Sequence, residues 1–148
     1  IGVHRSNPVY WSNRCACHMA KGAWAAALAD VNAKLQALRE AALLEEELLA
    51  GRLYTGPMFQ KYNLVCRAAI DEAPQFLKDD FARGCKGNRY TTTLHVLNSL
   101  VVKCSKLTKA ARVYRGSARG VLPASFWEPD ADGVRGGVEA GFMSTTTD

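Results

Sequence analysis

Two short segments in the last third of the chain combine residue types that suit phosphate and sugar binding. Arg115 follows Val113 and Tyr114 and precedes Gly116, a pattern that predicts a short strand closed by a glycine. A guanidinium presents a planar fork of donors that fits a phosphate, and a glycine lets a ligand approach the backbone closely. These two residue types indicate a site that binds an anion, although many strands simply end in a surface arginine.

The second segment is the run 142–147, whose aromatic and β-branched residues predict another strand. Alternation along a strand places Ser144 and Thr146 on one face and Thr145 on the other. Short hydroxyl side chains on a strand are suitable partners for sugar hydroxyls. The same threonine-rich composition is also explained by β-propensity alone.

Helices are predicted upstream of these segments. Apolar residues at helical spacing between Trp24 and Ala42 predict one long helix over 21–53 that packs on the rest of the domain. Further helices are predicted at 58–70 and from Thr92 or Thr93 to Lys109, with a threonine as the N-cap. Prolines and glycines predict a turn at 54–57 and an irregular connection over 74–90. Because helices come first and strands follow, the order favours an α+β fold.

The composition and the charge distribution limit the classes of protein to which this chain can belong. The 148 residues carry a formal net charge of +5 and a 48% hydrophobic fraction, which are typical of one globular domain. No apolar run approaches the ~18 residues that span a bilayer. Between Asp80 and Glu128 all charged side chains are basic and would attract a polyanion. The alternative interpretation is a solvated helix face. The basic block is taken as residues 86–119 and comprises Lys86, Arg89, Lys103, Lys106, Lys109, Arg112, Arg115 and Arg119.

Taken together, the two segments resemble the first two signatures of the arginine–serine–glutamate class of mono-ADP-ribosyltransferases. Val-Tyr-Arg-Gly at 113–116 and Gly-Phe-Met-Ser-Thr-Thr at 141–146 have the order and spacing of those signatures. Three upstream sequences also resemble the helical part of the eukaryotic arginine-specific members: Tyr-Thr-Gly at 54–56, Tyr62-Asn63 with Arg67, and Thr-Leu-His-Val-Leu at 93–97.

The resemblance covers residues 54–148 and implies that a helical arm, 1–53, precedes a partial catalytic domain. The implied fold is α+β: N-terminal helices followed by the start of a mixed β-sandwich that forms an NAD cleft and is incomplete at the C-terminus. The implied activity is that of an NAD(P)-dependent protein-arginine ADP-ribosyltransferase, which releases nicotinamide and transfers ADP-ribose to an acceptor arginine. NAD is expected as a substrate, and no metal is expected.

The resemblance also implies roles for individual residues. Arg115, with Gly116 beside it, would contact the NAD phosphates and brace the cleft. Ser144 would orient the nicotinamide ribose and support the catalytic glutamate. Thr145 and Thr146 complete the strand signature, and Thr146 keeps a hydroxyl where the family often has a second serine.

The family stabilises an oxocarbenium-like transition state with a Glu-x-Glu pair that follows the serine strand. No such pair lies between Ser144 and Asp148, so the gene product is expected to continue with one, and these 148 residues are expected to be inactive. Glu139 and the Asp130–Asp132 stretch are interpreted as solvated loop charges. No signal peptide is evident, and a cytoplasmic location is expected.

Three alternatives remain open. The basic block could bind nucleic acid or another polyanion without catalysis, although aromatic residues are sparse there. Residues 21–53 could form an interaction arm with no chemistry. Cys15, Cys17 and His18 could ligate a metal, but three ligands do not complete a tetrahedron and no second cluster is apparent.

Overall fold

The computed structural model describes residues 21–116, 122 and 124–146. Their regular elements are, in chain order, α1 (Trp24–Ala37), α2 (Glu45–Leu53), a π-helical turn (Tyr54–Met58), α3 (Phe59–Ala68), α4 (Gln75–Cys85), α5 (Thr91–Ser105) and a short 3-10 turn (Ala124–Phe126). Within those ranges, none of the helices has the length and apolar character needed to cross a membrane.

The predicted α+β fold with a β-sandwich is wrong for the described part of the chain, which contains no β-strand and no sheet. The two motif segments meet only at one antiparallel bridge, between Tyr114 and Thr146. The strands predicted at these two segments are therefore also wrong: a single bridge joins them, and a sheet needs further strands to extend the ladder. The glycine-rich stretch between the motifs provides none among its described residues.

The single helix predicted over 21–53 is two helices. α1 ends at Ala37, and Arg39 has a positive φ of 58°. The Asn32 side chain then binds the backbone of Leu43, accepting from its N–H at 2.6 Å and donating to its carbonyl at 3.0 Å. Because this side chain satisfies the backbone of an extended segment, the chain leaves the helix there and re-enters it at Glu45.

The described residues form two compact units, of which the first comprises 21–59 and 90–109. Here α2 packs on α5, and Gly51 makes the approach close, because a Cβ at this position would lie 2.5 Å from Cδ2 of Leu100. The buried apolar residues of this unit are Ala27, Leu35, Leu43, Leu48, Ala50 and Leu97. Gly51 therefore lies inside α2, at the contact with α5.

A buried ion pair also joins α2 and α5. The Glu47 carboxylate, only 4% exposed, lies 2.8 Å from Nζ of Lys103 and accepts hydrogen bonds from the Ser99 hydroxyl and, at 2.8 Å, from the Leu44 N–H. Burial raises the pKa of Glu47, but the hydrogen bonds from Lys103, Ser99 and Leu44 outweigh it, so the pKa is lowered. Glu47 is therefore a charged group with its partners supplied inside the fold.

The second unit contains the described residues of 60–89 and 110–146. Tyr62 and Val65 of α3 and Cys85 of α4 are buried, and Gly84 of α4 lies against Leu64 of α3. α4 occupies the stretch predicted as an irregular connection. That prediction was wrong because the breaking residues lie at the ends of this helix: Pro74 is at its N-cap, and the chain turns left-handed at Lys86 after its last residue.

The other two predicted helices are confirmed with shorter bounds. The prediction for 58–70 corresponds to α3, and the prediction ending at Lys109 corresponds to α5, which ends at Ser105. The predicted threonine cap is wrong, since the N-cap is Tyr90 in a left-handed conformation with no capping hydrogen bond from its side chain.

Candidate functional site

The two motif segments are antiparallel neighbours. The Tyr114 N–H donates to the Thr146 carbonyl at 2.7 Å, and the Thr146 N–H donates to the Tyr114 carbonyl at 2.9 Å. This bridge is isolated and does not extend into a ladder within the described residues. The two segments that the sequence singled out separately are therefore paired at this one point.

The candidate site residues lie next to this bridge, with Arg115 and Gly116 after Tyr114 and with Ser144 and Thr145 before Thr146. Gly116 leaves open space beside the bridge, because a Cβ there would meet no described atom within 4 Å.

The predicted site residues are accessible. The Arg115 side chain is 40% exposed, and Ser144, Thr145 and Thr146 are exposed as well. The Arg115 guanidinium lies 3.8 Å from Oε2 of Glu139, at the outer limit of an ion pair. Arg115 is thus oriented by a carboxylate but not enclosed by it.

Glu139, interpreted from sequence as a solvated loop charge, is instead a half-buried anchor. Arg67 of α3 binds both of its oxygens, with Nε and Nη2 each donating at 2.9 Å. The Gly141 N–H donates to the same carboxylate at 2.9 Å. This two-pronged geometry is the most favourable one between a guanidinium and a carboxylate.

The partners of Glu139 keep it ionised. Hydrogen bonding by Arg67 is the main cause that lowers the pKa of Glu139 to about 2; the Gly141 N–H and the charges of Arg67 and Arg115 add to it, against the opposing effect of burial. A carboxylate held in this way is negatively charged across the neutral pH range. It cannot serve as a general base near neutrality.

A second contact from α3 holds the segment before Ser144. The Asn63 amide pairs with the backbone of Phe142, accepting from its N–H at 2.8 Å and donating to its carbonyl at 3.3 Å. Gly141 passes so close that a Cβ would lie 2.9 Å from Oδ1 of Asn63. We call Asn63, Arg67, Glu139 and Phe142 the clasp.

The sequence motifs singled out the two candidate segments but not the clasp. Asn63 and Arg67 entered only through the family resemblance, and their spacing of four places them on one face of α3. Their partners lie 72 and 79 residues further along the chain. Helical spacing shows that the two α3 side chains are neighbours. No local sequence pattern shows that their partners are residues so far along the chain.

The basic block is partly used within the fold. Lys103 binds Glu47, Lys106 lies 3.9 Å from Glu40, and Arg115 faces Glu139. Its described members are also divided between the two units. Arg119 and the possible metal ligands Cys15, Cys17 and His18 lie outside the described residues; inside them, no group of three or more His, Cys, Asp or Glu side chains is arranged to hold a metal.

Comparison of the chain with protein-family models, with curated proteins and with solved structures found no match.

Proposed function

We propose that this chain supplies NAD-binding residues of a mono-ADP-ribosyltransferase that transfers ADP-ribose from NAD to protein arginine and releases nicotinamide. The observation that supports this most is the backbone pairing of Tyr114 with Thr146, because it brings the arginine motif and the serine motif side by side. The proposal requires only this local pairing and not a β-sandwich.

Arg115 is the proposed contact for the NAD pyrophosphate. Its guanidinium is half-exposed and faces Glu139 at the long distance of 3.8 Å, whereas the two oxygens of Glu139 are bound by Arg67. Together the three side chains carry one net positive charge. A phosphate can therefore bind Arg115 without breaking the bidentate pair, and charge-assisted bonds from a guanidinium suit that ligand.

Ser144 is the proposed contact for the nicotinamide ribose. A serine hydroxyl can both donate and accept a hydrogen bond, as ribose hydroxyls require of a partner. It lies two residues before the bridged Thr146, and Gly116, two residues after the bridged Tyr114, has open space where a side chain would be. Thr145 and Thr146 provide further exposed hydroxyl groups along the same segment.

The clasp is the proposed positioning device for this segment. Asn63 and Arg67 hold residues 139–142 on α3, so the backbone is fixed two residues before Ser144. Binding groups on a fixed backbone lose less entropy when the ligand binds. Glu139 and Arg67 are thus positioning residues and not ligand contacts.

Cleavage of the bond between ribose and nicotinamide develops positive charge at the ribose C1, which a nearby carboxylate stabilises. Glu139 is not assigned this role, because Arg67 already binds both of its oxygens. In the family the role belongs to the Glu-x-Glu pair beyond the serine strand. NAD binding by these 148 residues, and not turnover, is therefore the appropriate test.

The test compares NAD binding by the wild type, Arg115→Ala and Arg112→Ala, using calorimetry and thermal unfolding. Arg112 is the matched control, since it is an exposed arginine three residues away on the same segment. NAD at ten times its Kd should stabilise the wild type and Arg112→Ala by about 1.4 kcal/mol, and Arg115→Ala much less.

Equal stabilisation of all three proteins, or binding lost equally in both variants, would contradict the proposal. Loss in both variants with a steep dependence on salt would instead indicate general polyanion binding.

A further inference from the structure

A cleft of about 360 Å³ opens in the second unit, between the end of α3 and α4. Its apolar lining comes from Val65 and Ile70 on one side and Phe81 of α4 on the other. The volume falls within the range of about 300–1,000 Å³ that is common for small-ligand sites. The cleft contains none of the residues assigned above to NAD binding.

Two adjacent small residues also line this cleft: Ala68, the last residue of α3, and Ala69, which follows it. Ile70 is 45% exposed beside them, so apolar surface is open to a ligand here.

The charged side chains that line the cleft are Lys78, Arg89 and Asp71, and all three are exposed. None of them makes an ion pair with another residue in the described ranges. Two available cations and one carboxylate leave a single net positive charge beside an apolar floor. One negative charge on the ligand would balance that excess, whereas a polyanion would also be repelled by the Asp71 carboxylate.

From this arrangement we propose that the cleft is a binding site for a small monocarboxylate with a hydrocarbon body. The carboxylate binds the guanidinium of Arg89 and the ammonium of Lys78, and the hydrocarbon covers Val65, Ile70 and Phe81. The body can be aromatic or an acyl chain, because an apolar floor without a polar anchor does not distinguish them.

The experiment titrates the wild type with 1-naphthoate and octanoate, followed by amide chemical shifts of the Ala68–Ala69 pair. A Kd on the order of 1 mM is expected for naphthoate, the value that about a dozen non-hydrogen atoms give at ordinary ligand efficiency. The two probes decide which hydrocarbon body fits better. Naphthalenemethanol, the neutral analogue, should bind at least about fivefold more weakly, because it makes no charge-assisted bonds.

Variants locate the site. Lys78→Gln/Arg89→Gln should weaken naphthoate binding at least fivefold, whereas Lys86→Gln/Arg112→Gln, which removes the same charge from exposed positions that do not line the cleft, should leave it unchanged. Ala69→Phe fills the cleft from an exposed position and should abolish binding while the circular dichroism stays that of the wild type.

Three results would overturn the proposal: no shift at the alanine pair with either probe, equal affinity for the neutral analogue, or equal weakening by the two double variants. Binding that survives Ala69→Phe would equally place the ligand elsewhere. All of these readouts are independent of NAD.

Discussion

Each unit of this molecule holds one carboxylate between a basic side chain and a backbone N–H, but the two clusters differ in access. Glu47 is 4% exposed, and its cluster is closed by Lys103, Ser99 and the Leu44 N–H. Glu139 is 25% exposed, and beyond its bidentate pair with Arg67 a second guanidinium, that of Arg115, approaches it from a half-exposed position.

The difference separates a structural ion pair from a site that can exchange partners. In the Glu47 cluster a ligand would have to displace buried groups, and desolvated charges without partners are costly. In the Glu139 cluster, Arg67 satisfies the carboxylate, so Arg115 can turn to a ligand at little cost. The first cluster should therefore respond to mutation mainly in stability, and Arg115 mainly in binding.

The largest effect is expected from Lys103→Met. This change leaves the buried Glu47 carboxylate without its counter-charge, and breaking a buried pair in this way costs about 3–5 kcal/mol. Urea unfolding measures the loss. Lys106→Met is the matched control, since its pair with Glu40 is exposed and long, so it should change stability by less than about 0.5 kcal/mol. Equal losses in the two variants would contradict a closed Glu47 cluster.

Glu139→Gln should cost about 1–3 kcal/mol at neutral pH, because Arg67 loses a charged bidentate partner. The pKa of Glu139 falls from 4.5 to about 2 on folding, so its contribution is complete above pH 4.5 and is lost as the pH drops through about 2. The stability gap between wild type and variant should therefore close on acidification.

The control for this pH series is Asp80→Asn, which removes an exposed pair with Arg83 and should change stability by less than about 0.5 kcal/mol throughout. A gap for Glu139→Gln that stays constant down to pH 2 would show that its carboxylate is not held as described.

A smaller effect is expected from Asn63→Ala, which removes both hydrogen bonds to the Phe142 backbone and should cost about 1–2 kcal/mol. Hydrogen exchange at the Phe142 amide is the sharper measurement, since this N–H loses its acceptor and should exchange at least about tenfold faster. Unchanged exchange at Phe142 would mean that Asn63 does not hold the segment.

The smallest stability effect is expected from Arg115→Ala. Its pair with Glu139 is long and half-exposed, so the free energy of unfolding should change by less than about 0.5 kcal/mol in urea unfolding. A loss above about 1.5 kcal/mol, as for a buried partner, would mean that Arg115 is a structural cation, as Lys103 is. The two clusters would then not differ in the way described.

How far the sequence predicted this structure depends on the range of the interactions. α3 and α5 were predictable because their apolar residues repeat at helical spacing. The break between α1 and α2 was not, because the Asn32 side chain binds the Leu43 backbone eleven residues away. α4 was missed because Pro74, interpreted as part of an irregular connection, is the N-cap of a helix.

The candidate site divides in the same way. Arg115 and Ser144 could be proposed as site residues from short motifs whose residue types carry their own chemistry, and their role stays a prediction. Glu139 was misread because a carboxylate in a glycine-rich loop is usually solvated, and only the tertiary contact with Arg67 makes it an anchor. The prediction of a sheet was wrong because two β-prone segments do not form a sheet without further strands to pair with them.

The most direct test of the proposed NAD site is a titration followed by NMR at both motif segments in the same sample. The Arg115 side-chain Nε–H and the backbone amides of Gly116 and Ser144 should shift together with NAD and give one Kd. Shifts confined to one segment, different Kd values for the two, or no shift in either while the Tyr114–Thr146 pairing persists would contradict a single dinucleotide site built from both.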